Sequence, residues 1–451
     1  MKSNDFKGAH VLVLGAGVTG QSVKKVLTSF GAIVTLVDDA LETPSDFSIS
    51  QTDWKIAIAS PGWPVDHPLV KELNSQGVSV ISEIDLAWDL HLDLAPSQKW
   101  LAITGTNGKT TSVELTTAML NSGGLNATAC GNIGDTVIEA IMHEPPYDHL
   151  VLEISSYQLK WSKKPEFVSA AILNIADDHV DWHGSFEDYV ASKISILDRS
   201  AIAVLNAGDG EVVLATQNWQ GRKVFYSLDT PGAGEMGVVE DLLLDRAFVA
   251  DAEEATVVAE LAEVQPMAAH NVSNALAAAA LALSVGVSHE DIRRTIKDFR
   301  PGRHRIETVL VSDGITWIND SKATNPHAAL ASLMSQESII WIAGGLAKGA
   351  KMGDLVSRVH GRVKAAILIG RDRELIADEL TRVAPQVQIL RIDAAEENSL
   401  MEEVVRAALD LAKTGDVVML APACASMDQF ISYSDRGDQF AEAVRKLVGK
   451  K

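Results

Sequence analysis

The sequence predicts an α/β protein built as three successive domains, because apolar runs of strand length alternate with helical stretches along the whole chain. Glycine-rich turns mark two strand–helix junctions, near residues 15 and 105, and polar or proline-containing breaks fall near residues 97 and 301. At 451 residues the chain exceeds what one core usually supports. The expected domains are 1–97, 98–301 and 302–451.

The first domain opens with an apolar run at 10–14, the turn Gly15-Ala16-Gly17-Val18-Thr19-Gly20, a helical stretch to Phe30 and a second strand at 33–37 closed by Asp38. This is the order of a dinucleotide-type βαβ unit, in which glycines let a pyrophosphate approach a helix N-terminus and the acid can meet a ribose. The plain alternative is a tight turn with no ligand. The polar segment DLAPSQK, 93–99, then ends the domain. In the second domain, strands are expected at 101–104, 149–153, 169–173 and 202–205, with helices after Lys109 and at 186–197, which reads as parallel α/β. An alanine-rich helix at 269–286 ends at a glycine, and Phe299-Arg300-Pro301-Gly302 interrupts the pattern. Strands at 339–343, 365–369, 388–392 and 417–420 repeat the alternation in the third domain.

Composition narrows the function class. Apolar residues make up 47% and charged residues 22%, as in ordinary globular proteins. The net charge of −21 argues against nucleic acid and anionic membranes, so anionic ligands need local cations or helix N-termini. The opening MKSNDFKGAH lacks the apolar core of a secretory signal and no apolar run reaches eighteen residues, so neither export nor membrane insertion is expected. Cys130 and Cys424 have no metal-ligand neighbours, which fits two buried thiols in a reducing cytoplasm.

The strongest chemical signal is GTNGKTT at 105–111, between a strand and a helix. Backbone N–H groups of such a loop wrap phosphate oxygens, Lys109 adds a point charge and Thr110 offers a hydroxyl to Mg²⁺. The spacing is the shortened GxxGKT rather than GxxxxGK[ST], with Ile103 where the longer form has glycine, and a Thr-capped tight loop is the bland alternative. Glu153 closes a strand of the same domain and can ligate Mg²⁺ there or be a solvated strand end. His179, in NIADDH, sits at the same expected sheet edge, although a lone histidine is more often structural. By pattern alone Lys193 is a solvent-facing helical lysine. Arg305, after the break at 301, has the planar fork that pairs with phosphate, or it makes an interdomain salt bridge. Two polar clusters, WINDSKATNP at 317–326 and APACASMDQF at 421–430, follow strands. Ser321 or Thr324 is expected as an N-cap and Ser426 near a helix start, and their shared position favours one site.

Together GTNGKTT, LEISSYQL, the DDH segment, the helical Lys193, HNVSNALAA, GRHRIE, INDSKATNP and PACASMDQF resemble the Mur ligase family over essentially the whole chain, and the family uses the short GxxGKT loop. The resemblance implies a Rossmann-like first domain that binds a UDP substrate, a central P-loop ATPase α/β domain, and a Rossmann-like third domain that brings the amino acid and closes over ATP. It also implies ATP-driven amide formation through an acyl phosphate. The third-domain blocks point to addition of D-glutamate to UDP-N-acetylmuramoyl-L-alanine by a cytoplasmic monomer.

By the same resemblance, Gly105, Thr106, Asn107, Gly108, Lys109, Thr110 and Thr111 hold the ATP phosphates. Thr110 and Glu153 ligate one Mg²⁺, and His179 serves a second Mg²⁺ or the transferring group. Lys193 is expected to be carbamylated, CO₂ turning a cation into an oxygen ligand for the second metal. Asn271 and Asn274 face the adenine side, and Arg305 and Asp320 reach ATP from the third domain. Asn132 positions the muramoyl group and Ser155 lines the same site. Gly17, Val18, Thr19 and Asp38 meet UDP, while Lys322, Thr324, Lys348, Ser426 and Tyr433 surround D-glutamate. Tyr433 stands where phenylalanine is expected, and Asp39 adds a second acid beside Asp38. A folylpolyglutamate synthetase, an NAD-dependent oxidoreductase and a non-catalytic nucleotide-binding module are the competing readings.

Overall fold

A computed structural model describes residues 1–39, 49, 52–251, 253–393 and 400–449. The first sheet holds β1 (His10–Leu14), β2 (Ile33–Val37), β3 (Trp54–Ala59) and β4 (Val80–Ser82), ordered β2-β1-β3-β4 and parallel throughout. The second contains β5 (Lys99–Thr104), β6 (Ala127–Gly131), β7 (His149–Glu153), β8 (Phe167–Ile172), β9 (Ser200–Asn206), β10 (Arg222–Tyr226), β11 (Glu235–Val239), β12 (Leu242–Asp245) and β13 (Thr256–Glu260). Its order is β13-β12-β11-β10-β9-β8-β5-β7-β6. The third holds β14 (Glu307–Ser312), β15 (Ile315–Asn319), β16 (Ile339–Gly344), β17 (Val363–Ile369), β18 (Gln388–Arg391) and β19 (Val417–Leu420), ordered β14-β15-β19-β16-β17-β18.

Residues Met1–Gln265 and Asn271–Phe299 form one compact unit containing the first two sheets, and Pro266–His270 with Arg300–Lys451 form a second unit. The parallel pattern expected of the second sheet is incomplete. β11 and β12 pair antiparallel, as do β12 and β13, and β14 pairs antiparallel with β15. Only two residues separate β11 from β12, which is enough for a hairpin but far too short for a parallel crossover.

Burial explains the central strands. Five of the six β5 residues are buried, which is why this stretch reads as a continuous apolar run rather than an alternation. The segment 275–282 of the helix Ala269–Ser284 is apolar all round for the same reason: Ala275 to Ala282 are 0% exposed and share one apolar cluster with Leu101, Ile103 and Val113.

The sheet orders place the glycine turns. In the second sheet β5 lies between β7 and β8, so the chain leaves it in opposite directions and opens a crevice at its carboxyl end, where residues 105–108 lie. In the first sheet β1 lies between β2 and β3, and the Gly15 turn occupies the equivalent place. Among the described residues no helix is long and apolar enough to cross a membrane.

Candidate active site

The loop after β5 is held in shape by its own unit. The helix Lys109–Ser122 starts from Gly108 at φ +84°, and a Cβ there would lie 2.4 Å from Asn274 Oδ1, so both backbone angle and crowding demand glycine. Asn274 therefore backs the loop, and like Asn271 it is buried. The Asn107 N–H donates to Asn174 Oδ1 at 2.7 Å, and Asn174 Nδ2 donates back to the Asn107 carbonyl at 3.0 Å. Thr106 Oγ1 accepts from the Ala176 N–H at 2.9 Å and shares a 2.8 Å hydrogen bond with the Tyr189 hydroxyl. Lys109 Nζ folds back onto the Gly105 and Thr106 carbonyls, 2.8 Å from each. Its charge is thus parked at the loop mouth. Thr110 and Thr111 occupy the first turn of the helix, with Thr111 buried.

Glu153 is 3% exposed, so it is not a solvated strand end. Its two oxygens accept from Thr110 Oγ1 at 2.8 Å and from Asn132 Nδ2 at 2.9 Å. Asn132 is delivered by Gly131, which closes β6 at φ +101° with its Cβ position 2.5 Å from the Glu153 carbonyl oxygen. Gly131→Ala is expected to destabilise the protein by about 1–3 kcal/mol through this left-handed strain and contact. Under the expected Mg²⁺ role of Glu153, it should also raise the Mg²⁺ concentration needed for half-maximal activity. Unchanged melting temperature and Mg²⁺ dependence would show that the close approach carries no such role.

Lys193 corrects the sequence pattern: it is 2% exposed rather than solvent-facing. The helix Phe186–Ile194 carries it inward, where Nζ donates to the Gly105 carbonyl at 2.7 Å and lies 4.6 Å from the Tyr189 ring centre. Burial pushes its pKa well below the ordinary 10.5, the Lys109 charge adds to the drop, and Asp178 opposes it. His179 precedes a short helical turn at φ 56°, with Nε2 3.5 Å from Asp178 Oδ2 and its ring 5.0 Å from Tyr157. A cavity of about 460 Å³ brings together Gly105, Thr106, Lys109, Asn132, Ser155, Asp178, His179 and Lys193, with Pro61 and Gly62 on its rim from the first sheet. Ser155 also caps the helix Ser156–Trp161, its Oγ accepting from the Gln158 N–H at 3.2 Å.

Residues outside the expected set complete the surroundings: Tyr157, Trp182 and Tyr189 line the cavity, and His183 packs against their rings. Trp182 Nε1 donates to the Gly62 carbonyl at 3.3 Å and Tyr157 packs against its ring, tying the two sheets' loops together. His183, pushed down to about 4 by burial and then by Lys160, His179 and Lys193, bonds Ser156 Oγ at 3.0 Å as a neutral imidazole. Tyr189 had one legible signal, its position four residues before Lys193 and hence on the same helix face.

At the first-sheet turn, Gly15 has φ +103° and a Cβ on Gly20 would sit 1.9 Å from the Gly15 carbonyl oxygen, so both positions need glycine. Asp38 Oδ2 accepts from the Ala16 N–H at 2.7 Å and braces the turn. Gly17 and Val18 are exposed and Thr19 is half-buried, leaving this edge open.

In the second unit, the helix Pro326–Leu333 is capped by Asn325, whose Oδ1 accepts from the Ala328 N–H at 2.9 Å. This corrects the expectation for Ser321 and Thr324: Ser321 Oγ instead donates to the Tyr433 carbonyl at 2.7 Å. Thr324, half-buried, precedes the cap. Ser426 also differs from expectation. It is buried in a turn, and the next helix, Tyr433–Leu447, is capped by Ser432. Lys322 Nζ lies 4.0 Å from the Tyr433 ring centre. Burial pushes the Tyr433 phenol up, but the Lys322 ammonium and further neighbours bring it below its ordinary 10.0. Lys348 is exposed at φ 50°, two residues past a bridge between Leu346 and Ala425.

Arg305 is half-buried between two left-handed residues, His304 and Ile306. Asp320 is enclosed: Oδ1 accepts from the Ile306 N–H at 3.2 Å and Ser332 Oγ binds Oδ2. The structure thus places it as a brace beneath the Arg305 turn. Burial raises its pKa from 3.8 to about 7. The folded carboxyl keeps its proton to about pH 7 whereas an unfolded one loses it near 3.8, so this stabilising contribution is complete below about pH 4 and is lost as pH rises through 7. Thermal melts from pH 4 to 8 should show that decline, and Asp320→Asn should remove it. An identical slope in the variant would assign the decline to other groups.

Comparison with known proteins agrees with the geometry. Residues 103–282 match the family described as Mur ligase middle domain, and residues 304–424 match Mur ligase, glutamate ligase domain. The chain is 44% identical to the UDP-N-acetylmuramoylalanine–D-glutamate ligase of Streptomyces avermitilis, over 98% of this chain and 99% of that one. It is 43% identical to the enzyme of the same name from Thermobifida fusca, over 99% and 100%. Among solved structures, MurF ligase from Thermotoga maritima, in complex with ADP, superposes with a TM-score of 0.61 at 16% identity, covering 99% of this chain and 97% of that one. UDP-N-acetylmuramate-alanine ligase MurC from the same organism gives 0.60 at 16% identity, over 97% and 99%. Those two share the fold, while the full-length sequence identity to the glutamate ligases goes further and shows that this chain belongs to the Mur ligase family.

Proposed function

We propose that the chain is an ATP-dependent amide ligase that adds D-glutamate to UDP-N-acetylmuramoyl-L-alanine, a cytoplasmic step of peptidoglycan precursor synthesis. The observation that carries this reading is the single cavity shared by the phosphate loop, Asn132 and the buried Lys193, in a chain alike over its full length to ligases of that name. We read the three sheets as a UDP-binding domain at 1–97, an ATP-binding domain at 98–301 and an amino-acid-binding domain at 302–451, acting as a monomer.

The reaction needs activation because a free carboxylate would have to expel oxide. The L-alanyl carboxylate attacks the γ-phosphate, releasing ADP and forming an acyl phosphate. The neutral amine of D-glutamate then attacks that carbonyl, phosphate leaves with the C–O bond electrons, and the nitrogen gives up one proton to the departing phosphate or solvent. Catalysis is then positioning plus neutralisation of charge. Lys109 and the N–H groups of 105–111 suit the triphosphate, and Asn132 and Ser155 face the same cavity as candidates for the acceptor. Gly17, Val18, Thr19 and Asp38 are the proposed UDP contacts. Asn271, Asn274, Arg305 and Asp320 serve ATP in this reading, Asn274 and Asp320 by holding the phosphate loop and the Arg305 turn. Lys322, Thr324, Lys348, Ser426 and Tyr433 are proposed around D-glutamate.

The donor set fits two Mg²⁺ ions only if Lys193 is modified. Thr110 and Glu153 present hard oxygens 2.8 Å apart, which suits one ion. His179 and an ammonium do not suit the other, since the cation repels it. A buried amine held neutral is the form that adds CO₂, and the carbamate nitrogen keeps one hydrogen to donate to the Gly105 carbonyl. Bound Mg²⁺ would supply charge neutralisation on the phosphates.

Phosphate release measured with purified UDP-N-acetylmuramoyl-L-alanine, ATP, Mg²⁺ and each candidate amino acid tests the assignment. D-glutamate is expected to stimulate release above L-glutamate and above the no-amino-acid control, and equal rates would sink it.

A further inference from the structure

The Arg436 guanidinium is 0% exposed, and its hydrogen-bond partners among the described residues are neutral. Nε donates to Ser321 Oγ at 2.9 Å, one terminal nitrogen donates to the Ser321 carbonyl at 2.9 Å, and the other donates to the Cys424 carbonyl at 3.2 Å. No carboxylate pairs with it among the described residues, and Asp428 acts on it only from a distance. An unpaired buried cation is expensive, and a well-packed apolar side chain would fill the same space at less cost. Its location supplies a reason. Ser321 and Cys424 lie just past the carboxyl ends of β15 and β19, neighbouring parallel strands, and Arg436 enters between them from the helix Tyr433–Leu447. Ser321 in turn holds the Tyr433 carbonyl, and Lys322 covers the Tyr433 ring. The carboxyl ends of parallel strands are where such sheets take ligands, so fixed positive charge lies directly beneath the two loops that the sequence singles out.

We propose that Arg436 is a positioning residue for the amino-acid substrate, locking loops 319–325 and 421–430 together and supplying the positive potential that favours a dicarboxylate. The inference rests on the proposed D-glutamate ligation. Low-dielectric surroundings let a charge act on a carboxylate without direct contact, at a strength that corresponds to about tenfold in affinity.

Steady-state kinetics on Arg436→Gln and Arg436→Lys, with thermal melts of both, test it. Arg436→Gln is expected to raise KM for D-glutamate on the order of tenfold while KM for ATP and for the UDP substrate stay put. Arg436→Lys, which keeps charge but loses the three-way bonding, should melt earlier and raise KM for D-glutamate selectively, though less than Arg436→Gln does. An unchanged D-glutamate KM in Arg436→Gln, or equal rises in all three KM values in both variants, would overturn the proposal. Should Arg436→Gln fail to fold, Arg436→Lys decides alone: an unchanged KM for D-glutamate there counts against it. Absence of D-glutamate-dependent phosphate release in the unmutated protein would instead remove the functional reading on which it stands.

Discussion

Lys193→Ala is expected to abolish turnover, by about a thousandfold or more, while leaving nucleotide binding largely intact. The side chain is enclosed, hydrogen-bonded to the Gly105 carbonyl and shifted toward its neutral form by burial and by Lys109, the form that the proposed carbamylation requires. Two controls separate a carbamate from a simple charge. Lys193→Arg keeps the positive charge but offers no amine able to add CO₂, and it should be as inactive as the alanine variant. The unmutated enzyme should lose rate in CO₂-depleted buffer and regain it with bicarbonate. Full activity of Lys193→Ala, or intact-protein mass spectra without a labile CO₂ adduct at high bicarbonate, would refute the assignment.

Glu153→Gln should lower kcat by at least about a hundredfold and shift half-maximal activation to higher Mg²⁺. The present carboxylate accepts from Thr110 on one oxygen and from Asn132 on the other. A carboxamide can accept on one side only, so one donor loses its partner and the proposed Mg²⁺ loses its anionic ligand together. Melting temperature should fall modestly, since neither donor is deep in an apolar core. A variant with normal Mg²⁺ dependence would show that Glu153 only braces the loop. Paired with Gly131→Ala, the experiment distinguishes loss of the ligand from its displacement.

Much of this site is legible in the sequence. Strands β1, β2, β7 and β19 fall at 10–14, 33–37, 149–153 and 417–420 as the apolar runs predict, because each is bounded within a few residues by glycine, proline or polar punctuation. The phosphate loop was readable for the same reason: Gly108 needs its left-handed angle, and glycine followed by Lys-Thr at a helix start is a local pattern. β6 was missed because Ala127–Gly131, with the sequence ATACG, has no large or β-branched apolar residue and is a strand only through pairing with β7. Strands β10 to β13 were missed as well: β10 continues the parallel sheet between β9 and β11, and the antiparallel pairs β11–β12 and β12–β13 extend a sheet expected to be parallel throughout. Capping misled at Ser321, Thr324 and Ser426, since hydroxyls can cap, line a site or bind a distant carbonyl, and Asn325 and Ser432 took the caps.

The sequence by itself determined the α/β alternation, the two glycine turns, the residue types available for phosphate and metal, and through its motifs the family. The tertiary structure alone decided that Lys193 is buried and that Arg436 is enclosed with no carboxylate partner among the described residues. The physical reason is range. Glycine angles and hydrophobic periodicity act over a few residues, whereas Lys193 meets Gly105 across 88 positions and Arg436 meets Ser321 across 115. Burial, and with it the protonation state of an amine, depends on what the rest of the chain brings against it.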